Sequence, residues 1–98
     1  MIIFVDIDKT ICAPPVNCET EYEMAVPIRE NIDKINRLFY EGHTIVYWTA
    51  RGTRTGYNWF HLTKLQLDQW GARYNELRMG KPVYDLFICD KSIKIEEI

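Results

Sequence analysis

The sequence predicts an α/β protein built on a parallel sheet, and three observations predict it. An apolar run, Ile2-Ile3-Phe4-Val5, ends in two acids, Asp6 and Asp8. A helix-periodic stretch then leads into a second β-branched and aromatic run, Thr44-Ile45-Val46-Tyr47-Trp48-Thr49. A strand, helix, strand unit of this length is a right-handed parallel crossover. A second Gly-stopped helix precedes two further strand-like stretches, and the last of these ends in Asp90.

Four consecutive apolar side chains read as a central strand buried on both faces. Asp6 and Asp8 then stand at its carboxyl tip, the edge where open α/β sheets bind ligands. Bare carboxylates buried there would each cost on the order of several kcal/mol, so a cation or a donor network is implied. An EF-hand loop starting at Asp6 would need glycine at position 11 and glutamate at position 17, where the chain has Ile11 and Asn17, so that reading fails. The plainer alternative is an acid pair that caps the next loop or pairs with Lys9 and Arg51.

Residues 11–26, with Pro14-Pro15 and no sustained period, read as a flap that overhangs the acids. Its Tyr22, Glu19, Glu21 and Glu23 are candidate substrate contacts, against the alternative of a solvated acidic loop. Pro27 suits a first helical turn, and Ile28, Ile32, Ile35, Leu38 and Phe39 recur at helical steps until Gly42. The second strand brings Thr49 to the same edge as Asp6, and residues 50–56 form a polar loop there with Arg51 and Arg54. A second helix over 57–70 is marked by Phe60, Leu67 and Trp70, with Leu62 and Leu65 beside them, and stops at Gly71. Residues 74–79 give a weak third strand, the chain turns through Gly80-Lys81-Pro82, and 84–89 give a fourth. The tail 91–98 fits a short helix or an edge strand equally well.

The chain has 98 residues, 47% hydrophobic and 13% aromatic, which predicts one ordinary globular domain. Asp6 and Asp8 interrupt the N-terminal apolar run and no basic stretch precedes it, so neither a signal peptide nor a membrane span is expected, and a cytoplasmic protein is. Twelve basic against fourteen acidic residues, net charge −2, give no basic face for nucleic acid. Cys12, Cys18 and Cys89 lack metal-ligand spacing and read as free, mostly buried thiols.

Asp6 and Asp8, Thr49, Lys81 and Asp90 thus fall at one edge of one sheet, and their order and chemistry resemble the haloacid dehalogenase superfamily of aspartate-nucleophile phosphotransferases. Phe4-Val5-Asp6-Ile7-Asp8-Lys9-Thr10 is similar to its first motif, Ile45-Val46-Tyr47-Trp48-Thr49 to the second, Lys81 to the third, and Leu86-Phe87-Ile88-Cys89-Asp90 to the fourth. The resemblance spans about residues 2–92. It implies a three-layer α/β/α, Rossmann-like parallel sheet without a cap domain. Counting the predicted strands in sequence, their order would be 4-1-2-3.

The resemblance also implies a chemistry. Asp6 would attack phosphorus and form an aspartyl-phosphate, and Asp8 would protonate the leaving oxygen and then deprotonate water. Thr49 would donate to the transferring phosphoryl group and Lys81 would offset its charge. Mg²⁺ would be held by the Asp6 carboxylate, the Asp8 carbonyl and Asp90. Thr10 would brace the first loop at the substrate, and Arg51 and Arg54 would bind the leaving-group end. Many relatives have paired acids at the fourth motif, whereas Cys89 precedes Asp90 here, so Asp90 would ligate alone while Cys89 packs against the helical cover. With no cap, specificity falls to the flap, to the two arginines, or to another subunit of a homo-oligomer. The expected function is hydrolysis of a small phosphorylated metabolite such as a sugar phosphate. The alternatives are a nucleic-acid-end phosphatase and a catalytically silent domain that binds phosphate or a partner.

Overall fold

The structure, a computed structural model, describes residues 1–13 and 21–98. In chain order its elements are β1 (Ile2–Val5), β2 (Cys12–Ala13), β3 (Val26–Pro27), α1 (Arg29–Tyr40), β4 (Thr44–Trp48), α2 (Phe60–Gln69) and β5 (Glu76–Arg78). Single 3-10 turns lie at Tyr22–Met24 and Ile95–Glu97.

The first apolar run becomes β1, which pairs in parallel with β4, and β4 pairs in parallel with β5, giving a three-stranded sheet of order β1-β4-β5. Because side chains alternate along a strand, the register puts Ile3, Val5, Ile45, Tyr47 and Leu77 on one face. Ile2, Phe4, Val46 and Trp48 share the other. Ile32 and Ile35 of α1 and Leu67 of α2 pack with Val5, Ile45 and Tyr47 in a single core cluster, so both helices serve the first face. Handedness explains this: two successive right-handed crossovers that advance across the sheet in one direction set their helices on one side. The expected third layer is therefore missing among the described residues, and Ile2 and Phe4 remain exposed.

α1 follows the predicted apolar steps, although it starts at Arg29, because Pro27 instead pairs with Cys12 in the small antiparallel β2–β3 ladder. That ladder closes the flap at its base and was not predicted from residues 11–26. Flap residues 14–20, with Glu19 and Cys18, lie outside the described residues. α1 stops where expected: Gly42 takes φ +100, and His43 N–H donates to the Leu38 carbonyl. α2 buries Thr63, Gln66 and Leu67, while Leu65 is exposed.

The expected fourth strand does not form, and with it goes the order 4-1-2-3. Residues 84–89 carry no strand, and Tyr84, Leu86, Phe87 and Ile88 are all exposed. The physical reason is connection length. A parallel strand beside β1 must start at the opposite end of the sheet from Arg78, and such crossovers take a dozen or more residues. Only residues 79–83 separate β5 from this stretch. Of the two readings open for the tail, the short helix is the one made: a 3-10 turn at Ile95–Glu97 sets Ile95 against the core, where its carbonyl accepts from Lys34 Nζ at 3.3 Å. Among the described residues no helix is long and apolar enough to cross a membrane.

Candidate active site

Each strand of the sheet delivers a polar group to its carboxyl edge. Past β1 the chain makes a tight turn in which Thr10 N–H (3.1 Å) and Ile11 N–H (2.9 Å) both donate to the Ile7 carbonyl. Lys9 takes the left-handed φ of 69° that closes this turn, a conformation costing a non-glycine residue about 1–2 kcal/mol. Asp6 Oδ1 accepts the Ile7 N–H at 2.9 Å, which fixes its carboxylate at the mouth of the edge.

At the tip of β4, Thr49 is buried, and its Oγ1 accepts the Arg51 N–H at 3.1 Å. Its N–H donates to the Arg78 carbonyl and its carbonyl accepts the Lys81 N–H, both at 3.0 Å. Thr53 Oγ1 donates to the Lys81 carbonyl at 2.8 Å, so the lysine backbone is held on both sides. The Lys81 ammonium then lies 3.3 Å from Asp6 Oδ2. The result is a cleft of about 430 Å³ lined by Asp6, Asp8, Thr49, Arg54, Lys81 and Tyr84 among others.

Arg51 departs from the expected substrate role. Its guanidinium is fully buried and holds Asp8 bidentately, Nε to Oδ2 and Nη2 to Oδ1, each at 2.9 Å. Nη1 donates to Thr63 Oγ1 at 3.2 Å and to Gln66 Oε1 at 2.5 Å. The group also stacks 4.7 Å from the centre of the Tyr22 ring. With its donors directed at protein acceptors, it is a clamp on Asp8 and not a contact for the leaving group. The plainer sequence alternative, an ion pair between the second acid and Arg51, is thus realised for Asp8. Thr63 and Gln66 were missed as members of the site. The signal was available: positions 63, 66, 67 and 70 form one helical stripe, and polar residues within a buried stripe need a polar partner.

Of the other expected residues, Arg54 lines the cleft. Thr10 is tied to α1 through its carbonyl, which accepts Asn31 Nδ2 at 2.8 Å, consistent with bracing the first loop. Tyr22 is largely buried against the clamp and lines the cleft, whereas Glu21 and Glu23 are exposed. Cys12 is buried beside Asp8, and burial, reinforced by the Asp8 charge, pushes its thiol up to about 12. Cys89 is exposed, not packed under a helix, because the strand that would have turned it inward is not made.

Asp90 is exposed at the end of that unformed strand. Among the described residues no group of three His, Cys, Asp or Glu side chains converges to hold a metal ion. Asp6 and Asp8 line the cleft, and Asp90 is not among the residues that do.

No protein-family model matches this sequence, and no curated protein matches it. A solved structure does: the crystal structure of an MCSG target from Vibrio cholerae has a TM-score of 0.84 at 24% identity, covering 99% of this chain and 86% of that one. The likeness establishes a shared fold, and at that coverage the segment 79–98 lies inside the match.

Proposed function

We propose that this chain hydrolyses a small phosphate monoester, of the sugar-phosphate kind, by way of a phosphoryl group carried on Asp6. The observation that supports the reading best is the Asp6–Lys81 pair. A carboxylate 40% exposed to the cleft stands 3.3 Å from an ammonium whose backbone is fixed from both sides, at the carboxyl edge of a parallel sheet. Likeness to the haloacid dehalogenase motifs supports the same reading.

In this mechanism an Asp6 oxygen attacks phosphorus in line, an O–P bond forms, and the P–O bond to the leaving alcohol breaks as Asp8, protonated at this point of the cycle, gives its proton to that oxygen. Lys81 neutralises charge on the phosphoryl oxygens, and Thr49, whose Oγ1 already accepts from Arg51, keeps its hydroxyl hydrogen for one of them. Water then cleaves the acyl phosphate, its proton passing to Asp8, and Asp6 is regenerated. Protonated Asp8 would displace one of the two Arg51 donors, so its geometry serves directly the half-reaction in which it starts as a carboxylate.

The test is phosphate release over a panel of sugar phosphates, an aryl phosphate and a 5′-phosphorylated oligonucleotide, with and without added Mg²⁺. Release from the small esters that disappears in Asp6→Asn supports the reading. Release confined to the oligonucleotide supports the end-phosphatase alternative. No release from any member, with phosphate still bound, supports the silent domain.

A further inference from the structure

We propose that two copies of this chain pair by exchanging residues 84–89, the stretch of one copy adding as a strand to the open edge of β1 in the other. The occupant and the vacancy are both present. β1 is an edge strand whose outer side carries no partner strand among the described residues. Its Ile2 and Phe4 are 72% and 47% exposed. Such an edge is a template for pairing unless it is covered. The stretch 83–88 is Val-Tyr-Asp-Leu-Phe-Ile, rich in strand formers, yet Leu86 is 76% and Ile88 88% exposed.

Its own copy cannot join the two, because the five residues 79–83 are too few for a parallel crossover. A neighbouring copy needs no crossover, since the stretch enters the neighbour's sheet from outside. The exposed parts of Ile2, Phe4, Val83, Tyr84, Leu86, Phe87 and Ile88 amount to about 700 Å² per copy, so reciprocal exchange can bury at most about 1,400 Å², a ceiling that lies within the range of stable interfaces. Because a parallel strand ends at the carboxyl edge, the exchange carries the partner's Asp90 toward the tip where Asp6 stands, so each site is completed by the other copy. This last consequence rests on the phosphatase reading of the site; the pairing does not.

Sedimentation of the parent and of Leu86→Glu/Ile88→Glu tests the pairing. Both residues are exposed in the single copy, so the variant keeps its fold, which far-UV circular dichroism checks. A dimeric parent and a folded monomeric variant are expected; a monomeric parent, or a variant that stays dimeric, overturns the proposal. Mixing Asp6→Asn with Asp90→Asn tests the shared site. In a two-fold dimer, random exchange leaves one intact site in about half the molecules, so activity should return to about one quarter of parental. No return, from an active and exchanging parent, overturns the shared site. A parent inactive on every ester removes the phosphatase reading and leaves sedimentation to decide the pairing.

Discussion

Replacing Arg51 by methionine separates a clamp from a substrate contact. The side chain is fully buried and donates to both oxygens of Asp8, to Thr63 and to Gln66. Methionine has similar length but no donors. Removing one member of a buried ion pair typically costs about 3–5 kcal/mol, and Asp8, whose side chain is 22% exposed, can regain some water, which places the cost near the lower end. Gln66 Oε1 and Thr63 Oγ1 lose a donor in a buried setting, at about 1 kcal/mol or more each, so about 3–4 kcal/mol in total is expected after overlap. For a chain of this size that corresponds to a fall in Tm of about 15–25 °C. Arg51→Lys keeps the charge but not the fork and should lose about half as much. Urea unfolding followed by tryptophan fluorescence gives the stability, and a cycle with Asp8→Asn should show a coupling above about 1.5 kcal/mol. An Arg51→Met protein within 1 kcal/mol of the parent, but with KM raised many-fold, would return Arg51 to the substrate and refute the clamp.

Three further outcomes are expected. Asp6→Asn should abolish phosphate release while changing stability by no more than about 0.5 kcal/mol, because its carboxylate is exposed and its lysine partner can turn to solvent; comparable release would remove the nucleophile. Gly52→Ala should cost about 2–4 kcal/mol, since Gly52 has φ +82 and a Cβ there would lie 2.1 Å from the Tyr57 carbonyl oxygen; thermal unfolding near that of the parent would show that the loop behind Arg51 gives way. Cys12 binds its proton more tightly folded than unfolded, from 9.0 up to about 12, so it adds stability that is fully present below pH 9 and lost as pH rises toward 12. The loss runs at up to about 1.4 kcal/mol per unit. Cys12→Ala should flatten that part of the stability curve, and equal slopes would contradict the burial effect.

Much of the fold was legible because it follows from local pattern. The apolar runs at residues 2–5 and 44–48 became parallel neighbours, and the α1 stripe through Ile32 and Ile35 points into the core as spaced. Asp6, Thr49 and Lys81 were legible too, since strand tips in a parallel sheet must share an edge. The fourth strand was misjudged because residues 84–89 have strand composition, and composition is silent on whether a connection can reach. Counting residues 79–83 against the crossover requirement would have exposed the conflict. Arg51 was misread for a related reason: an arginine in a polar loop looks solvated until its buried partners, Thr63 and Gln66 on α2, are known.

The clamp also changes what the flap does. Gln66 accepts from Arg51 through Oε1 and donates through Nε2 to the Tyr22 carbonyl at 2.7 Å, and the Tyr22 ring lies under the guanidinium and edge-on to Trp59 with centroids 5.0 Å apart. Asp8, α2 and the returning limb of the flap are thus one hydrogen-bonded unit with Arg51 at its centre. A buried guanidinium tolerates few arrangements, because each donor that loses its acceptor costs more than a surface bond would. Movement of the flap at Tyr22 therefore cannot be independent of the direction in which Asp8 presents its oxygens to the cleft. The two acids differ in this respect: Asp6 is fixed by its own strand tip and the next N–H, while Asp8 takes its orientation from residues 22, 51, 63 and 66. Tyr22, which also lines the cleft, thus acts on the acid that would handle the proton through the guanidinium stacked on its ring.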